Sequence, residues 1–283
     1  MNRHTFLITP FATALWLAVA TSPVAAQEVD SAMRSDWAAA AAVAGEFDKA
    51  HAIAARISRL RLRDSAYRRI AIVRAGVGTR AIDETLARIG NAGRRKAATV
   101  DVAIILARRG DLEGAERLAS GLDPVNRDTV LAVTAMMRAE AGDDQAVQET
   151  LSAIEFGSRR RAARELVSAG FARSRAPGAA RDYALEAKDR RERVFGLIAV
   201  ARAQAADGDK KNAILTLARA REEMRDGGLA RSLESRLMSD TAVILAGVGD
   251  FEGARQARDR VANATLRAHL RRYINAVERY WPR

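Results

Sequence analysis

The sequence holds no cysteine, five prolines, three histidines and only 5% aromatic residues. Without cysteine there is no disulfide framework, no thiolate-bound zinc and no thiol nucleophile. Few prolines leave long stretches free to be helical. Lysine is also scarce: arginine accounts for 42 of the 47 basic residues. No Gly-x-Gly-x-x-Gly fingerprint, phosphate-binding loop or Gly-x-Ser-x-Gly elbow occurs. What the chain has instead is alanine, 61 of 283 residues, in a composition that is 48% hydrophobic. That fraction is too high for a disordered chain, and alanine and arginine both favour helix.

The first residues read as an export address. Arg3 and His4 open a short polar start, residues 6–20 are mostly apolar, and Val24-Ala25-Ala26 puts small residues at the positions a signal peptidase requires. Residues 1–26 are therefore expected to be a secretory leader cleaved after Ala26. An uncleaved anchor is disfavoured because Pro10, Thr13, Thr21, Ser22 and Pro23 leave the apolar run short of the ~20 residues a membrane span needs. The start looks bacterial, so the expected compartment is the periplasm, with residues 27–283 soluble. Cleavage removes one basic residue, Arg3, from a chain of formal charge +12. A basic exported protein faces acidic proteins, anionic polymers or lipid head groups, and no nucleic acid is expected there.

One short segment recurs. It reads Gly45-Glu46-Phe47-Asp48-Lys49-Ala50, Gly110-Asp111-Leu112-Glu113-Gly114-Ala115, Gly208-Asp209-Lys210-Lys211-Asn212-Ala213 and Gly249-Asp250-Phe251-Glu252-Gly253-Ala254. The first three glycines lie 65 and 98 residues apart, which are two and three steps of about 33, a repeat-array period. The same step predicts turns near 78, 143 and 175, where the chain has Gly78, Gly142-Asp143 and Ala176-Pro177-Gly178. The last interval is longer, and the surplus is expected around Asp226-Gly227-Gly228.

Each unit divides into two helices, with glycine ending the first and the following acid capping the second. Segments 100–107, 130–137, 197–203 and 242–248 are apolar on most sides, as sandwiched helices are. The second helices are amphipathic, with Ala115, Leu118, Ala119 and Leu122 on one side. Residues 102–106 and 243–245 also fit buried strands of an α/β sheet. Length decides for helix, because residues 96–109 contain no proline and no glycine and exceed a typical strand.

The Gly-[Asp/Glu]-x-x-x-Ala turn, with a small residue seven positions earlier at Ala38, Ala103, Ala201 and Ala242, resembles the tetratricopeptide repeat over most of residues 30–264. Leu106 and Leu245 stand where that family has an aromatic, and Pro124 sits early for its inter-repeat proline, so a related helical hairpin is the alternative. The resemblance implies an all-α, right-handed superhelix of about seven hairpins that binds peptides or partner domains. Stacking is physically required, since one alanine-rich hairpin buries too little surface alone. Residues 265–281 supply Leu266, Leu270, Ile274, Val277 and Trp281 at helical spacing, with Arg267, Arg271 and Arg272 outward. They are expected to close the array; a membrane-surface helix is the alternative. Trp37 is expected to pack against the first hairpin.

Catalysis has little to rest on. Past the leader only His51 and His269 remain, without metal-ligand spacing, and the acid pair Glu222-Glu223 has the look of a solvated helix surface. No enzyme activity, cofactor or metal is expected. Charge is the one functional hint: residues 159–193 carry eleven basic side chains against five acidic ones. Arg159, Arg160, Arg161, Arg190, Arg191 and Arg193 are the candidate partner-binding residues, two clusters about one repeat apart. Arg94-Arg95-Lys96 and Arg127 precede them at similar spacing. They sit at helix starts, where a positive charge gains nothing from the dipole. The competing reading pairs each arginine with a neighbouring acid such as Asp128 or Glu192, at little net gain. The expected function is a periplasmic or cell-envelope scaffold for an acidic protein partner. A polyanion- or membrane-surface-binding module and an accessory subunit of an envelope enzyme are the alternatives.

Overall fold

The computed structural model describes residues 23–78, 81–174, 177–225 and 228–282, with the side chains of 23–26 and 177 left out. Most of the expected leader, residues 1–22, lies outside them. The described residues form fifteen α-helices and no strand. In chain order these are α1 Pro23–Val43, α2 Phe47–Ala55, α3 Leu60–Val77, α4 Ile82–Ala87, α5 Ala92–Arg108, α6 Leu112–Ser120, α7 Pro124–Ala141 and α8 Asp144–Ala153. There follow α9 Gly157–Arg173, α10 Pro177–Leu185, α11 Arg190–Ala206, α12 Lys210–Arg225, α13 Arg231–Val248, α14 Phe251–Asp259 and α15 Ala264–Arg279. The segments that also fitted strands, 102–106 and 243–245, lie inside α5 and α13.

Long helices alternate with short ones, and the sequence signals sit at the joints. Gly45, Gly78, Gly110, Gly142, Gly208 and Gly249 all have φ between +72° and +90°, the left-handed conformation that stops a helix. The next residue caps the following helix: Asp111, Asp143, Asp209 and Asp250 each accept a hydrogen bond from the backbone N–H three residues on, at 2.9–3.2 Å. The expected turn near 175 includes Ala176, which is outside the described residues. The surplus length of the 208–249 interval lies in α12 itself, 16 residues long where the other short helices have 6 to 10. Residues 210–225 contain neither glycine nor proline, so nothing stops that helix earlier.

The chain forms two compact units, one up to Arg109 and one spanning Gly110–Arg283. In the first, α1 packs on α3 and α3 on α5, with α2 and α4 alongside. Ala38, Ala42, Ala50 and Ala54 fill the first hairpin. Trp37, expected to pack against this hairpin, is 53% exposed. In the second unit α7, α9, α11, α13 and α15 pack each on the next, and α8, α10, α12 and α14 flank them. Helix α11 is apolar on most sides over residues 197–203 because it serves two clusters: Leu197, Ile198 and Ala201 face one, Val200 and Ala203 the other.

Helix α15 covers the last pair as expected. Leu270 and Ile274 are buried, and the Trp281 ring stands edge-on to Phe251 at 5.6 Å. Arg267 departs from the outward expectation. Its guanidinium donates to the carbonyls of Val261, at 2.5 Å, and Ala262, at 2.9 Å.

Candidate partner-binding cleft

Arg267 belongs to a recurring arrangement. Arg95, Arg160, Arg193 and Arg267 each stand four residues after the N-cap of a long helix, these caps being Asn91, Phe156, Asp189 and Asn263. Each donates to a carbonyl six residues earlier, just past the end of the preceding short helix: Ile89 at 3.3 Å, Ile154 at 2.5 Å, Ala187 at 3.0 Å and Val261 at 2.5 Å. Carbonyls there have lost their helical partners and carry the negative end of a dipole. An arginine at the start of one helix thus stabilises the end of the one before. This accounts for positive charge at helix N-termini, where it otherwise gains nothing.

The six nominated arginines therefore divide. Arg160 and Arg193 are half-buried and turned to main-chain carbonyls, and Arg193 also pairs with Glu223 at 2.9 Å. Arg159 is exposed and Arg190 half-buried. Arg161 and Arg191 line a cleft of about 510 Å³ formed by α9, α10 and α11. Arg164, Glu165, Tyr183, Glu192 and Phe195 complete its sides. A second cleft of about 510 Å³ shares Arg161, Arg164, Tyr183, Asp189 and Glu192 and extends to Arg160, Glu186, Lys188 and, on α8, Gln148. The competing pairing holds for part of the set: Arg127 meets Glu155 at 3.0 Å, Arg193 meets Glu223 at 2.9 Å and Arg94 meets Asp64 at 3.2 Å, whereas Arg161 is 3.9 Å from Glu192.

The first cleft is balanced in charge, with Arg161, Arg164 and Arg191 facing Glu165, Asp189 and Glu192. Asp189 is occupied as an N-cap, accepting from the Arg191 and Glu192 N–H groups at 2.7 and 3.2 Å. Arg191 lies over the Phe195 ring at 5.6 Å. The Tyr183 ring packs edge-on against Phe171 at 5.1 Å and carries its hydroxyl into a buried position without a hydrogen-bond partner. Burial pushes its pKa up to about 12, against the charge of Arg164 and with those of Glu186 and Asp144. The Gln148 amide is close enough to favour the phenolate slightly but stands outside hydrogen-bond geometry.

Burial also raises the pKa of Glu165, while Arg202 lowers it, Asp240 raises it and Arg236 lowers it. The folded state therefore holds this proton more tightly than the unfolded chain. Stability falls as pH rises from the ordinary carboxylate pKa of 4.5 through the raised one. Glu165→Gln should gain stability over the parent at neutral pH, and the gain should vanish at acid pH. Urea midpoints measured across that range check the sign.

Sequence reading nominated neither Arg164 nor Tyr183. Arg164 was one basic residue among eleven, and nothing local marks Tyr183 as buried. The other chemical candidates have partners within the fold. His51 Nε2 lies 3.1 Å from Thr85 Oγ1, and burial, then Arg74 and Arg88, push its pKa down. Glu222 and Glu223 both pair with Arg219, at 2.9 and 3.0 Å. Among the described residues no group of three histidines or acids is placed to hold a metal ion, and no helix is long and apolar enough to cross a membrane.

The chain matches no family model, no curated protein and no solved structure.

Proposed function

We propose that the chain is a non-enzymatic, exported helical-repeat scaffold that holds a partner protein in a periplasmic or cell-envelope assembly. The fuller architecture in this reading is a right-handed superhelix resembling tetratricopeptide repeats. The observation that carries the reading is the pair of adjoining clefts beside α10, with exposed Arg161 and Arg191 next to the Phe195 ring. Mixed charge around an aromatic wall suits a folded or extended polypeptide better than a uniform polyanion. The formal charge of +12 favours a second reading, a module for anionic polymers or membrane surfaces.

Site-specific photocrosslinking from Phe195 in the exporting cell tests the two. One protein partner should be captured. Arg161→Glu with Arg191→Glu should reduce that capture about tenfold with the urea midpoint unchanged. Capture that survives the double charge reversal rejects the cleft as the site. Binding that collapses steeply with salt, and that anionic polymer competes away, supports the second reading.

A further inference from the structure

Several arginines in this fold meet an acid at close range. Arg68 meets Asp101, Arg69 meets Asp36, Arg173 meets Glu140 and Arg260 meets Glu234, each at 2.7 Å. The cleft arginines are not held in this way. Arg164 is half-buried and makes no ion pair or side-chain hydrogen bond among the described residues. Arg161 has only Glu192, at 3.9 Å, beyond hydrogen-bond reach. Both line the two clefts together with Tyr183, whose hydroxyl is buried and unpartnered. A buried hydroxyl without a partner is destabilising on its own account, by an amount that one ligand oxygen would recover.

We propose that Arg161, Arg164 and the Tyr183 hydroxyl form a pocket for a side-chain carboxylate of the bound partner, an inference that rests on the scaffold reading. The guanidinium planes donate in pairs to the two oxygens, and the phenol donates its O–H to one of them. A carboxylate is favoured over a phosphate because Glu165, Glu186, Asp189 and Glu192 also stand in the clefts. They repel a dianion about twice as strongly as a monoanion. The Phe195 wall accepts the methylenes that carry the carboxylate.

The probe is N-acetyl-glutamate methylamide, titrated into the full chain, with the arginine Nε–H signals followed by NMR. The Arg161 and Arg164 signals should shift and saturate. Arg164→Gln should weaken binding about tenfold. Tyr183→Phe should weaken it about threefold or more while leaving the urea midpoint equal or higher, because an unsatisfied buried group has been removed. A Tyr183→Phe chain that loses stability assigns the hydroxyl a structural role and overturns the proposal. So does tighter saturation by inorganic phosphate, or displacement of the probe by phosphatidylglycerol vesicles without any protein partner. If the probe saturates the pocket but charge reversal leaves partner capture intact, the pocket stands and the scaffold reading of this cleft fails. If capture is lost on reversal and no probe concentration shifts the arginines, the scaffold reading stands and the carboxylate pocket fails.

Discussion

Asp128→Ala is expected to cost the second unit about 3 kcal/mol, a large share of what a marginally stable array can lose. Asp128 is fully buried, on α7. One carboxylate oxygen accepts from the Glu155 N–H at 3.1 Å and the other from the Phe156 N–H at 2.9 Å. Phe156 is the N-cap of α9, and its side chain makes no capping bond. The carboxylate thus comes from the neighbouring long helix to take amide groups that the turn leaves without carbonyls. Alanine removes both acceptors and leaves a small cavity, so two part-buried N–H groups lose their partners. Asp128→Asn keeps one oxygen and should lose about half as much. Glu155→Ala, which removes only the exposed partner of Arg127, should stay within about 1 kcal/mol. Urea unfolding of the full chain reads the totals, and amide exchange at Glu155 and Phe156 locates them. A loss below about 1 kcal/mol for Asp128→Ala would mean the turn finds water or another acceptor, and the latch would be dispensable.

The latch recurs, which explains how consecutive pairs are registered. Asp64 on α3, also buried, accepts from Gly90 and Asn91 N–H at 2.8 and 3.2 Å, and Ser235 on α13 accepts from Ala262 N–H at 3.0 Å. All three stand five residues after an N-cap, at Arg59, Asp123 and Ala230. The sequence made the glycine–acid turns legible because they need only local chemistry: a left-handed residue, then a side-chain oxygen three residues from an N–H. Ala38, Ala103, Ala201 and Ala242 were legible as packing positions for the same reason, and all four are fully buried. The latch was not legible. Its acid stands one repeat before the amides it accepts, and in the sequence Asp128 looks like an ion-pair partner for Arg127.

The cleft divides along the same line. The arginine clusters were visible as charge, but the direction of each guanidinium was not. Arg160 and Arg193 turn to carbonyls that only a hairpin brings back to them. Arg161, one residue from Arg160, points into the cleft because a helix rotates each successive side chain by about 100°. Tyr183 could not be nominated because its hydroxyl is buried by packing against Phe171, twelve residues away on another helix.

Gly170→Ala should be as damaging as loss of the latch, at about 3 kcal/mol, although helix propensity alone favours alanine. Gly170 lies inside α9 against α7. A methyl group built there falls 2.5 Å from the Met136 carbonyl oxygen and 2.9 Å from the Ala139 Cβ. Neither can swing aside, since one is helical backbone and the other a Cβ fixed to it. The two long helices must separate, and the apolar contacts of Ala135, Ala139, Val167 and Phe171 loosen together. Gly247, inside α13, is the matched control: a methyl group there meets nothing within 4 Å. Gly247→Ala should stabilise, by up to about 1 kcal/mol, purely from helix propensity. The two substitutions are chemically identical and both fall in the last turn of a long helix, so opposite signs in urea unfolding isolate the helix–helix approach as the cause. Equal small gains at both sites would show that α7 and α9 are not packed backbone to backbone, and that the continuous interior of the second unit is looser than its side-chain burial implies.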